Sequence, residues 1–107
     1  MKVRFRAEAA ADVLRARKWY DQQRQALGDE FVEALEQLID LISTFPAAAG
    51  EIGAGHRRAV LRRFPYSLYY GIDQDVIDVV ACLHNARSDD LWPTRLRRLE
   101  DDSTEPS

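Results

Sequence analysis

Four basic side chains in the second half of the chain have the types and spacing that could support chemistry. Arg58 and Arg62 fall on one face of a predicted strand because side chains alternate along a strand, and the following strands bring His84 and then Arg87 toward that side. Such a group would bind phosphate, with His84 as a general acid or base in RNA cleavage. In the competing interpretation His84 ends a core strand, and Arg87 caps that strand or pairs with a following aspartate. Both interpretations are open on pattern alone.

Sequence motifs for several other kinds of chemistry are absent. It contains no phosphate-binding glycine loop, no Cys/His spacing for zinc and no glycine-flanked nucleophilic serine. The lone cysteine, Cys82, falls within an apolar strand and is expected to be a core residue in a reducing compartment. His56 is expected in a loop. We therefore predict no cofactor and no metal site.

The elements that must position these residues begin with three consecutive strands. Residues 57–63, 67–72 and 76–84 are predicted to be three strands separated by turn residues, which gives an antiparallel meander. Residues 67–72 best match a half-buried strand, whereas neither face of residues 57–63 is cleanly apolar. The third strand is apolar on both faces, which is typical of a central strand.

Two helices are predicted before the meander. Residues 2–6 alternate as a short strand, and residues 7–25 have helical periodicity, with a glycine turn expected near Leu27 and Gly28. Asp29 is expected to cap a second helix that stops at Pro46. The two helices would form an antiparallel hairpin covering one face of the meander, which gives an α+β fold.

The remaining segments are predicted to be less regular. Residues 46–55 are rich in Ala and Gly and predict a mobile loop, while residues 85–92 leave the sheet. Pro93 is expected to break this stretch before a last helical turn at residues 95–98. A single domain over residues 1–98 and an acidic, disordered tail over residues 99–107 are expected.

Charge is distributed unevenly in a chain whose net charge is −3. Residues 1–25 carry +4, residues 26–56 carry −6, residues 57–98 carry +3 and residues 99–107 carry −4. Thirteen of the fifteen basic residues are Arg, which suits forked recognition of carboxylate or phosphate. No signal peptide and no apolar run of about 20 residues is found, so a cytoplasmic protein without a membrane partner is expected.

An ordered set of short signatures runs through most of the chain. It comprises Trp19-Tyr20, Leu27-Gly28-Asp29-Glu30-Phe31, Phe45-Pro46, Arg58, Arg63-Phe64-Pro65-Tyr66, Tyr69-Tyr70, His84-Asn85-Ala86-Arg87, Trp92 and Arg95. The set resembles the RelE/ParE superfamily of toxins from type II toxin-antitoxin, or plasmid stabilisation, systems. The resemblance implies that the first strand lies beside the last.

The resemblance also implies a growth-inhibiting toxin and its partners. The Phe-Pro-Tyr turn, the long helical hairpin and the His-x-x-Arg ending resemble ParE, which inhibits DNA gyrase, and the lysines typical of RelE active sites are absent. An acidic chain also suits a protein target better than the ribosome. A cognate antitoxin would neutralise the protein, and operator DNA would be contacted only through that antitoxin. Target contacts are expected at Arg87, Trp92 and Arg95, and antitoxin contacts at Arg57, Arg63 and Tyr69.

Two alternatives remain. A RelE-like toxin would cut mRNA on the ribosome with Arg58, Arg62, His84 and Arg87, while Trp92 or Tyr69 stacks on a base. A non-toxic protein would bind the antitoxin and modulate repression of the operon.

Overall fold

Eight elements of secondary structure form in the computed structural model, which describes residues 1–103. In chain order they are β1 (Lys2–Phe5), α1 (Ala7–Gln23), α2 (Leu27–Thr44), β2 (Gly50–Gly53), β3 (His56–Val60), β4 (Tyr66–Asp73), β5 (Val76–His84) and α3 (Ser88–Ser103). The predicted α+β class is confirmed. No helix within the described residues is both long and apolar enough to cross a bilayer.

The strands form one mixed sheet in the order β1-β5-β4-β3-β2. The predicted meander is present, since β3 pairs with β4 and β4 with β5, both antiparallel. β1 lies beside β5 in parallel, with Val3 opposite Ile77, so the expected position of the first strand beside the last is confirmed. β5 therefore has a neighbour on each side, as its apolar faces predicted.

Helices cover both faces of this sheet. On one face α1 and α2 enclose a core in which Phe31, Leu68 and Tyr70 are fully buried. On the other face α3 covers a smaller group formed by Tyr69, Val80, Ala81 and Leu83. A register shift at Tyr69 and Tyr70 lets the consecutive residues Val80 and Ala81 join the same group. The second apolar face of β5 is thus explained by α3.

The turn between α1 and α2 differs from the prediction. α1 ends at Gln23, and Ala26 precedes α2 with a left-handed φ of 66°. Gly28, which was expected in the turn, is buried inside α2, and Asp29 lies in the first turn of α2 instead of capping it. The glycine is needed because α1 approaches closely: a Cβ on Gly28 would lie 2.6 Å from the carbonyl oxygen of Arg17.

The predicted mobile loop over residues 46–55 is wrong for its second half. Gly50–Gly53 forms β2, which pairs antiparallel with β3 although all four residues are exposed. Arg57 fixes the approach to this strand by donating to the carbonyl oxygens of Ala47 and Ala49, at 3.1 and 2.7 Å. Backbone pairing and one arginine therefore order a stretch that has little apolar surface to bury.

The C-terminal prediction also needs correction. Pro93 does not end a segment but lies inside α3, where its missing N–H removes one backbone hydrogen bond near the start of the helix. α3 continues to Ser103, so residues 99–103 are helical where a disordered tail was expected. The rest of that predicted tail, residues 104–107, lies outside the described residues.

Candidate partner-binding surfaces

Arg58 belongs to a polar network on the α3 side of the sheet. Its Nε donates to the Ser67 hydroxyl and its Nη2 to Asn85 Oδ1, both at 3.1 Å. The Ser67 hydroxyl donates to the same Asn85 oxygen at 2.6 Å. The guanidinium also lies 5.9 Å from the centre of the Tyr69 ring. The Arg58 guanidinium therefore mainly links β3, β4 and the segment after β5 through hydrogen bonds.

His84 lies on the opposite side of the sheet from Arg58. It ends β5 opposite Tyr66, and the two rings meet edge to face with centroids 5.1 Å apart. Its Nδ1 accepts a hydrogen bond from the N–H of Ala86 at 3.0 Å. Arg87 follows directly and lines the same cleft as His84.

Arg62 lies apart from both Arg58 and the His84–Arg87 pair, so the four predicted nuclease residues do not form one cluster. β3 ends at Val60, and the strand alternation that would have put Arg62 beside Arg58 ends with it. Arg62 instead borders a groove against α2. Within the described residues the arrangement brings together only His84 and Arg87.

The groove beside Arg62 is the first of two candidate surfaces, and we call it the α2 groove. It has a volume of about 480 Å³ and is lined by Glu30, Glu33, Ala34, Gln37, Leu38, Leu41, Val60, Leu61, Arg62 and Arg63. Leu41 and Val60 each expose more than half of their surface. The Arg62 guanidinium forms no hydrogen bond or ion pair with any described residue. An apolar floor with charged rims suits an amphipathic helix from a partner.

Glu30 fixes the charge at one end of the α2 groove. Its carboxylate accepts hydrogen bonds from Arg63 and, at 2.8 Å, from Arg24. These hydrogen bonds lower the pKa of Glu30 below its ordinary value, so it stays ionised at neutral pH. Arg63, a predicted antitoxin contact, thus lines the groove while paired with Glu30.

The second surface, which we call the basic cleft, lies where α1 meets the end of β5 and the start of α3. Its volume is about 270 Å³, and its lining residues include Arg15, Trp19, His84, Arg87 and Leu91. Trp19 is 53% exposed. The Arg87 guanidinium makes no hydrogen bond or ion pair within residues 1–103. Exposed Trp and Arg side chains are the types that most often dominate binding energy in protein interfaces.

Three other predicted contact residues serve the fold. Arg95 is only 7% exposed and bonds to Asp12, so it does not present its guanidinium to a target. Tyr69 is 2% exposed and stacks under Trp92, with ring centroids 4.7 Å apart, which closes it to an antitoxin. Arg57 holds the segment before β2, as described above.

Sequence reasoning missed several surface residues that the fold exposes. Leu41 lies one position before Ile42, which shares the buried face of α2 with Phe31 and Leu35. This displacement from the apolar face was the signal that Leu41 points outward. Of the Trp19-Tyr20 signature, only Tyr20 packs into the core, at 7% exposure, while Trp19 faces outward. Within the described residues no group of three or more His, Cys, Asp or Glu side chains is placed to bind a metal ion.

Comparison with known proteins gives two matches of different kinds. A family model described as "ParE toxin of type II toxin-antitoxin system, parDE" matches residues 3–89, which is most of the chain. A solved structure described as a chromosomal ParDE TA system from P. aeruginosa contains a similar fold, with a TM-score of 0.60 and 18% sequence identity. The similarity covers 78% of this chain and 95% of that chain. No curated protein sequence matches significantly.

Proposed function

Since the chain belongs to the ParE toxin family of type II toxin-antitoxin systems, we propose that it acts in the cytoplasm by inhibiting DNA gyrase and is neutralised by a cognate antitoxin. The observation that carries the choice of gyrase over mRNA cleavage is the separation of Arg58 and His84 on opposite faces of the sheet. A nuclease needs its phosphate-binding and proton-transferring groups within hydrogen-bonding reach of one phosphodiester. A toxin that acts by binding has no such requirement.

The basic cleft is the surface we assign to the target. Arg87 offers a guanidinium fork that is unpaired within residues 1–103, and Trp19 offers exposed aromatic surface at the same cleft. A target that places a carboxylate on Arg87 and an apolar side chain on Trp19 would use both. We therefore retain Arg87 as a proposed target contact and add Trp19 as a second one.

The α2 groove is the surface we assign to the antitoxin. Leu41 and Val60 supply exposed apolar area, and Arg62 supplies at the rim a cation that no described residue pairs. An antitoxin segment with apolar residues on one side and a carboxylate near Arg62 would cover these groups. Because the two surfaces have no lining residue in common, target binding and neutralisation should be separable by mutation.

The test is to induce the protein without its antitoxin and to follow chromosomal breaks and messenger integrity in the same cells. Growth arrest with double-strand breaks and intact messenger supports the proposal. Cleaved messenger with intact DNA would replace it with a RelE-like nuclease, and absence of arrest would replace it with a non-toxic antitoxin-binding protein. In a separate assay, purified gyrase should cleave DNA in a manner that depends on the presence of the toxin.

Two variants test the surface assignments. Arg87→Glu should abolish growth arrest while antitoxin binding is retained, with Arg97→Glu as an exposed control on α3 that keeps arrest. Leu41→Glu should keep arrest but escape neutralisation when the antitoxin is co-expressed. Loss of antitoxin binding in Arg87→Glu, or full neutralisation of Leu41→Glu, would contradict the assignment.

A further inference from the structure

Arg4 on β1 and Arg6, which directly follows β1, share one buried carboxylate on β5. Arg4 lies opposite Asp78 in the parallel pairing of the two strands. The Nε of Arg4 donates to Asp78 Oδ1 at 3.3 Å, and the Nε of Arg6 donates to Oδ2 at 2.9 Å. Asp78 is only 7% exposed. One carboxylate therefore fixes two guanidinium groups side by side.

The shared carboxylate leaves the outer ends of both arginines available. Their side chains are 54% and 44% exposed, and their Nη atoms form no hydrogen bond within residues 1–103. Because Asp78 holds each group at Nε, the two forks lose little further side-chain freedom when they meet an anion. A guanidinium fork matches the geometry of a phosphate or carboxylate.

More cations extend this pair into a strip along the edge of the sheet. Lys2 lies on the same face of β1 as Arg4, because alternate residues share a face, while Val3 and Phe5 pack into the core on the other face. The extended backbone of Arg6 continues this alternation beyond the end of β1. Arg98 of α3 lines one cavity together with Arg6. We call Lys2, Arg4, Arg6 and Arg98 the basic strip. Arg98 pairs with Glu8 at 3.2 Å. With Asp78 and Glu8 included, the strip has a charge of +2 in a chain of net charge −3.

We propose that the basic strip binds the phosphate backbone of duplex DNA directly. Lys2 to Arg6 spans about 13 Å of extended chain, so the strip presents a line of cations rather than a point charge. A duplex carries one negative charge per roughly 1.7 Å of its axis, which supplies anions along the whole line. This proposal does not depend on the identity of the toxin's target. It adds direct DNA binding by the toxin, whereas operator DNA was expected to be contacted only through the antitoxin.

The composition of the strip favours a duplex over a single strand. Its four members are Lys or Arg, and the only aromatic residue of β1, Phe5, faces the core. Single-strand binding normally relies on aromatic side chains that stack on bases, which the strip does not offer. Backbone contacts by Lys and Arg alone predict binding that is independent of sequence and weakened by salt.

The experiment measures fluorescence anisotropy of a short labelled DNA duplex against the full chain. Two double variants that remove the same charge are compared, namely Lys2→Gln/Arg4→Gln in the strip and Arg17→Gln/Lys18→Gln on α1. Arg6 is kept so that Asp78 retains a partner, and circular dichroism confirms the fold of both variants. The strip variant should bind about tenfold more weakly at about 50 mM salt, and its salt slope should fall by about 1.8, because each lost phosphate contact removes about 0.9. The control should stay within about twofold of the wild type.

Several outcomes would overturn the proposal. One is an absence of binding by the wild-type chain at low salt, and another is an equal loss in both double variants. Equal or tighter binding of polyglutamate would assign the strip to an acidic protein segment. Tighter binding of an RNA duplex of the same length would assign it to RNA.

Discussion

Arg95 and Asp12 form a buried, bidentate ion pair, although 83 positions separate them in the chain. Nη1 lies 2.8 Å from Oδ2 and Nη2 lies 3.0 Å from Oδ1. Arg95 also donates to the carbonyl oxygen of Val80 at 3.0 Å, and Asp12 accepts the N–H of Cys82 at the same distance. This pair joins α1, β5 and α3. The hydrogen bonds with Asp12 raise the pKa of Arg95, so it remains charged in the fold.

Arg95→Ala is expected to lower the free energy of unfolding by about 3–5 kcal/mol, because it leaves the Asp12 carboxylate buried without its main partner. Urea unfolding followed by circular dichroism measures this loss. Arg97→Ala removes an exposed arginine from the same helix and should change stability by no more than about 0.5 kcal/mol. Similar stability in the two variants would show that Asp12 does not depend on Arg95.

Gly28→Ala is expected to destabilise the packing of α1 on α2 by about 2–4 kcal/mol, comparable to a severe core defect. The added Cβ would lie 2.5 Å from Asp21 Oδ1 and 2.6 Å from the Arg17 carbonyl oxygen, and the backbone oxygen cannot move without shifting α1. Gly50→Ala is the matched control, since a Cβ there meets no atom of the described residues within 4 Å. Thermal melts of both variants provide the measurement, and a melting temperature for Gly28→Ala close to that of Gly50→Ala would refute the close approach.

Trp92→Ala is expected to loosen α3 and to cost about 2–3 kcal/mol, because it removes the ring stacked on Tyr69. Trp92 also meets His56 edge to face, with centroids 5.3 Å apart, so this end of β3 should become more mobile. Hydrogen exchange of β3 and β4 amides, together with urea unfolding, measures both effects. Trp19→Ala removes the exposed tryptophan and should cost less than about 1 kcal/mol. The reverse order of stabilities would mean that Trp19, not Trp92, anchors the fold.

The Cys82 thiol is expected to resist alkylation in the folded protein. Burial, assisted by the nearby Asp12 charge, raises the pKa of this thiol from 9.0 to about 12, so it stays protonated while an unfolded thiol ionises. The unfolded state then binds fewer protons above pH 9, and stability must fall as the pH rises from 9 toward 12. Relative to Cys82→Ala, the wild type should lose about 1.4 kcal/mol more stability between about pH 8 and about pH 10.

The comparison of the two proteins isolates the thiol, since the tyrosines Tyr20, Tyr66 and Tyr70, whose pKa values are also raised by desolvation, are present in both. Urea unfolding at the two pH values gives the difference, and mass spectrometry after iodoacetamide treatment reports the accessibility of the thiol. Rapid alkylation of the native protein, or parallel pH dependence in the two proteins, would contradict the burial of a neutral thiol.

Local patterns were enough to predict most of the fold. Strand-like patterns separated by turn residues predicted the meander, helical periodicity predicted α1 and α2, and Pro46 marked the end of α2. These features depend on neighbours within a few residues, where the geometry of a strand or helix is nearly fixed. Patterns failed where pairing with distant backbone decides the structure. β2 has no apolar stripe, and it forms because β3 offers a strand edge and Arg57 offers donors.

The candidate sites divide in the same way. The sequence by itself determined the family, the presence of an arginine-rich second half and the apolar stripes that build the core. Only the tertiary structure decided which arginines are available to partners. Arg58, Arg87 and Arg95 are alike in sequence, yet one joins a polar network, one is unpaired within residues 1–103 and one is buried against Asp12. The physical reason is that the partners of a charged side chain come from elements far apart in the chain, and no local period encodes them.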